Sequence, residues 1–118
     1  MKPWGKHLIL DCAGCNFLLI TDTTNIREFI KELVRRIDMT IHGEPQIEFL
    51  LPGTDNEGYS VLQMITTSNI TIHFVNKTKE AYIDVFSCKE FDTSVAVEVV
   101  TEYFEPTTIR STILTRQA

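Results

Sequence analysis

The sequence predicts an α+β fold: an antiparallel β-sheet with two helices on one face. Runs of β-branched and aromatic residues recur between turns rich in Gly, Pro, Asn and Asp. Only two stretches carry apolar residues at helical spacing. Strands linked by hairpins need no crossover helices, so they pair antiparallel. A length of 118 residues suits one domain with one core, spanning residues 1–118.

The elements follow in order. His7 to Cys12 (HLILDC) reads as a strand broken by Gly14. Asn25 opens a helix with Glu28 as its capping-box partner. Ile26, Phe29, Ile30, Leu33, Val34 and Ile37 form its single apolar stripe. Strands are expected from Thr40 to Leu51 and from Gly58 to Thr66, joined by the breaker-rich segment Pro52–Gly58. Asn69 to Val75 and Ala81 to Cys88 read as a hairpin. Asp92 caps a second helix running to Phe104, whose inner face holds Val95, Val99, Val100 and Tyr103. Pro106 stops it, and Thr108 to Leu114 forms a last edge strand.

Composition narrows the function classes. With 11 Lys+Arg against 16 Asp+Glu, the net charge of −5 argues against a nucleic-acid partner. No apolar run is long enough to span a membrane, and His7 and Asp11 interrupt any signal-peptide core. Cys12, Cys15 and Cys88 are too few for a disulfide framework, so the expected setting is cytoplasmic. Ile70, Ile72, Phe74, Ile83, Val85, Phe86 and Leu62 are expected not all to point at the same two helices. A homodimer stacking sheet on sheet, an αββα sandwich of four layers, would bury the surplus.

Most short motifs have a plain structural reading. Cys12-Ala13-Gly14-Cys15 has C-x-x-C spacing, but no helix starts at the first Cys and no second ligand pair completes a zinc site. Both cysteines are read as small buried hydrophobes and no metal is expected. His42 reads as a boundary histidine, and Asp55 and Glu57 as solvated turn residues.

Ser68, His73 five residues on and Cys88 fifteen residues further are different. Their order and spacing, together with Gly5-Lys6-His7, Gly14-Cys15 and Gly58-Tyr59-Ser60, resemble the short bacterial and archaeal pyruvoyl-dependent S-adenosylmethionine decarboxylases of polyamine synthesis. The resemblance spans Met1 to Phe104. It implies self-cleavage between Thr67 and Ser68, with Ser68 becoming a covalent pyruvoyl group that holds the substrate amine as a Schiff base. By the same resemblance His73 is the base for that maturation and Ser60 holds the ester's geometry. Cys88 returns a proton to the substrate carbon. Phe49 matches an aromatic that stacks on the substrate, Asp11 matches a usual acidic position, and S-adenosylmethionine is the small-molecule partner.

The chain carries Thr67-Ser68-Asn69 where relatives usually have Glu-Ser-His, and Phe74-Val75-Asn76-Lys77 where many have Thr-Trp-Pro-Glu. Two other readings therefore stand beside the first. One keeps the chemistry with a basic amino acid such as arginine or ornithine; the other is an unprocessed, non-catalytic homologue. A three-residue turn over Lys77-Thr78-Lys79 sets Ser68 opposite Cys88 on one face, with His73 pointing the other way.

Overall fold

The structure, a computed structural model, describes residues 2–118. Its elements are β1 (Gly5–Ala13), α1 (Phe17–Ile20), α2 (Thr23–Arg36), β2 (Gln46–Leu50), β3 (Gly58–Ile65), β4 (Ser68–Val75), β5 (Glu80–Ser87), α3 (Thr93–Phe104) and β6 (Thr108–Arg116). The six strands form one sheet in the order β2-β3-β4-β5-β1-β6, with every pairing antiparallel. This is the expected α+β architecture, with helices against one face. Among the described residues no helix is long and apolar enough to cross a membrane.

The helix boundaries show where local chemistry overrides the expected cap. Asp22, not Asn25, is the N-cap of α2: its carboxylate accepts from the N–H groups of Thr24 at 2.9 Å and Asn25 at 3.3 Å. Asn25 instead donates its side-chain amide to the carbonyls of Leu19 and Tyr103, both at 3.0 Å, which ties α1, α2 and α3 together. The one-turn α1 precedes, capped by Asn16. Asp92 caps α3 as its sequence predicts. The expected strand from Thr40 narrows to β2, because Gly43 at φ 77° and Pro45 interrupt it. Ile41 keeps only a bridge to Ile65.

Strand alternation sorts the side chains. Ile70, Ile72 and Phe74 of β4 and Ile83 and Val85 of β5 all lie buried on the helix side. Phe104 of α3 meets the Phe74 ring at 5.0 Å and the Phe29 ring of α2 at 4.7 Å. Five of the seven residues counted as surplus are therefore covered within the chain, leaving Leu62 and Phe86 on the opposite face. The helices cover more than expected because each central strand sends only every second residue to them. The uncovered face is mixed: Leu62 and Met64 are 55% and 61% exposed, and a His7–Asp84 contact at 2.8 Å lies nearer its centre.

Gly58 opens β3 where its α-carbon lies against β4. A Cβ there would sit 1.8 Å from the Phe74 carbonyl oxygen, a backbone atom that cannot swing aside. Gly58→Ala should lower unfolding stability by about 1–3 kcal/mol in urea titration. A change within about 0.5 kcal/mol would contradict this packing.

Candidate active site

The β3–β4 hairpin turns on Thr66 and Thr67, with Ile65 and Ser68 as its closing pair. Two-residue hairpins favour turns with positive φ, which β-branched threonines resist. Neither threonine takes positive φ; Ser68 does, at 153°. That region is almost confined to glycine, so the hairpin tip stores backbone strain at Ser68.

The neighbouring strand holds this tip from below. Ser68 pairs with Ser87, not with Cys88. The β4–β5 loop has four residues between Val75 and Glu80, one more than the expected turn, and this shifts the register by one. Cys88 lies one position beyond β5, where its N–H donates to the Thr67 carbonyl at 3.0 Å. Its side chain is exposed, in a recess lined also by Gly5, Lys6 and Lys89. The Thr67 hydroxyl accepts from the Ser87 hydroxyl at 2.8 Å and donates to Met39 Sδ at 3.3 Å. A backbone amide carries no sequence signature, and Ser87 has none beyond standing next to Cys88.

Ser60 and His73 form a second cluster at the opposite end of the sheet. They are cross-strand partners, and the Ser60 hydroxyl lies 2.6 Å from His73 Nδ1. His73 Nε2 lies 3.2 Å from the Asn56 carbonyl. A carbonyl only accepts, so Nε2 is the donor in that contact, and Nδ1 faces the Ser60 hydroxyl. Both side chains are on the uncovered face, in a row that continues through Tyr82 and Asp11 to Arg110. His73 and Ser68 are five residues apart on one strand, roughly 16 Å at strand spacing. Within one chain the His73 ring cannot reach Ser68.

The remaining candidates scatter. Asp11 belongs to the His73 end of the sheet, opposite Tyr82. Phe49 pairs with Tyr59, with ring centroids 5.2 Å apart, in the row that leads to buried Phe74 and Ala81 on the helix side. The aromatics beside the tip are instead Phe86, which pairs with Asn69, and Trp4, whose ring centroids lie 5.7 Å apart. The Arg116 guanidinium lies over Phe86 at 4.8 Å. Cys12 and Cys15 are buried. Burial first, then the charge of neighbouring groups, pushes their thiols up to about 12 and about 11.

Three comparisons bear on this geometry. Residues 6–117 match the S-adenosylmethionine decarboxylase family. A Clostridium botulinum protein named S-adenosylmethionine decarboxylase proenzyme is 34% identical over 103 residues, covering 86% of this chain and 84% of that protein. One of the same name from Pyrococcus horikoshii is 29% identical over 106 residues, covering 89% and 73%. The crystal structure of the adenosylmethionine decarboxylase from Aquifex aeolicus superposes with a TM-score of 0.84 over all of this chain and 94% of the other, at 21% identity.

The cysteines should separate chemically. At pH 8 in native buffer, iodoacetamide should modify Cys88 alone, because the other two thiols are buried and undissociated. In denaturant all three should react. Native modification of Cys12 or Cys15 at the rate of Cys88 would contradict the structure.

Proposed function

Because the chain belongs to the S-adenosylmethionine decarboxylase family, we propose that it decarboxylates S-adenosylmethionine for polyamine synthesis, using a pyruvoyl group made from its own Ser68. The observation that carries this reading is the hairpin tip. A serine follows a peptide carbonyl that already accepts a hydrogen bond from the Cys88 amide at 3.0 Å. That bond polarises the carbonyl and would hold the oxyanion formed when a nucleophile adds to it. The basic-amino-acid and non-catalytic readings find no support among the named relatives.

Maturation then balances as follows. The Ser68 hydroxyl oxygen adds to the Thr67 carbonyl carbon, the amide C–N bond breaks, and the proton passes to the freed nitrogen, leaving an ester. A base removes the Ser68 α-proton, and the ester leaves as the Thr67 carboxylate. The dehydroalanine tautomerises to an imine, which water hydrolyses to a ketone and ammonia. The product is two fragments, 1–67 and 68–118. The residues present fit this group, since the carbonyl to be attacked is already held beside the serine that supplies its atoms. When formed, the group withdraws electrons from the substrate amine as CO₂ leaves. The exposed Cys88 thiol, beside the tip, returns a proton to the substrate carbon. Trp4, 53% exposed, and Phe86 offer faces for an adenine ring, the task that the resemblance gives to Phe49.

The base must come from elsewhere. His73 lies five residues from Ser68, on the uncovered face, with its Nδ1 against the Ser60 hydroxyl. A homodimer stacking two uncovered faces with strands reversed would bring the Ser60–His73 end of one protomer over the Ser68 end of its partner. It would also cover Leu62 and Met64. Each site is then completed by two chains, and the His73 imidazole takes the α-proton of the partner's serine. The three free cysteines suit work in a reducing cytoplasm.

Carboxyl-labelled S-adenosylmethionine should release CO₂, and labelled arginine or ornithine should not; the reverse would replace the substrate. Cys88→Ala should still self-cleave but lose about 10²–10⁴-fold in CO₂ release. His73→Ala chains alone should stay intact. Mixed with Ser68→Ala chains and reassembled, they should be cleaved, because one composite site then holds both an intact serine and an intact histidine. Folded mixed dimers that leave His73→Ala uncut would contradict the shared site.

A further inference from the structure

We propose that Ser87 and Thr67 are positioning residues for self-cleavage, a hydroxyl clamp that holds the peptide unit to be cut in place beside the strained backbone of Ser68. The inference rests on the reading of Ser68 as the processing serine, and it deepens that reading. Four groups form a chain in one direction: the Lys89 N–H donates to Ser87 Oγ at 3.0 Å, Ser87 Oγ–H to Thr67 Oγ1 at 2.8 Å, and Thr67 Oγ1–H to Met39 Sδ at 3.3 Å. Each hydroxyl has one proton; Ser87 Oγ also lies 3.7 Å from Met39 Sδ, the longer and weaker of its two acceptor contacts.

Ser87 is fully buried, and a buried hydroxyl is costly to retain unless its bonds are used. Here they are spent on the residue whose carbonyl would be attacked. Thr67 is thereby fixed at two points, its hydroxyl by Ser87 and its carbonyl by the Cys88 amide 3.0 Å away. With Thr67 pinned and neither threonine at the positive φ that β-branched residues disfavour, the positive φ of the tip falls on Ser68, at 153°. Conversion of residue 68 to a ketone removes its N–Cα linkage to Thr67 and with it the strained dihedral.

The test follows fragment release from freshly refolded full-length chains on denaturing gels. Ser87→Ala and Thr67→Val should each cleave about tenfold more slowly, the loss expected for one hydrogen bond that acts in the step. The double variant should be about as slow as either single one, because both remove the same bond. Ser87→Thr, which restores the hydroxyl, should cleave at the parental rate. Ser87→Ala at the parental rate overturns the proposal. So does Ser87→Thr as slow as Ser87→Ala, which would point to packing alone.

A second measurement needs no cleavage and holds even where Ser87→Ala does not fold. On an ordinary strand glycine is less stable than alanine, but at a φ of 153° the order inverts. Ser68→Gly should therefore melt at or above Ser68→Ala, and a lower melting temperature for Ser68→Gly overturns the strained tip. A parental chain that never cleaves fails the reading of Ser68 itself. A parental chain that cleaves, with an indifferent Ser87→Ala, fails the clamp alone.

Discussion

The register of the three central strands is the constraint on which the other features depend. Because alternate residues of a strand face opposite ways, the pairing of β3, β4 and β5 decides every side chain's face at once. It sends Ile70, Ile72, Phe74, Ile83 and Val85 to the helices and leaves Ser60 and His73 on the other side. It also sets Ser68 against Ser87, so that the next amide, Cys88 N–H, meets the carbonyl before the serine. A slip of one residue would break both arrangements together. Gly58 guards that register, since only a residue without a Cβ fits against the Phe74 carbonyl.

Much of this was legible in the residues and some was not. The helix stripe of Ile26, Phe29, Ile30, Leu33 and Val34, the Asp92 cap and the edge position of β6 follow from spacing and capping chemistry alone. The Asn25 start failed because Asp22, three residues earlier, is the better acceptor for the orphan N–H groups. The β4–β5 register failed by one because Lys79, at φ 57°, extends the loop to four residues, and lysine gives no warning of that conformation. Phe49, to which the resemblance gives the stacking role, stands on an edge strand whose parity turns it toward the helix side beside Tyr59.

The parity conflict at His73 is legible in strand spacing alone, and it is the most informative feature of the chain. A histidine that the family resemblance makes the base points to the open face, about five strand residues from the serine it must serve. Read as a single chain this is a contradiction. Read as half of a paired assembly it explains why the open face carries both exposed apolar side chains and an ordered Ser60–His73–Asn56 array. In the proposed dimer the two ends of one sheet hold the two halves of the proposed chemistry, with the strained tip supplying the bond and the far end supplying the base.

That chemistry is most directly judged by the nature of the new chain end. Intact-mass measurement of the aged, purified protein should show fragment 1–67 ending in a free carboxylate. Fragment 68–118 should be lighter by one ammonia than plain hydrolysis would leave, and it should react with a carbonyl reagent such as phenylhydrazine. A 68–118 fragment that begins with unmodified serine, or a chain that stays whole, would contradict the account.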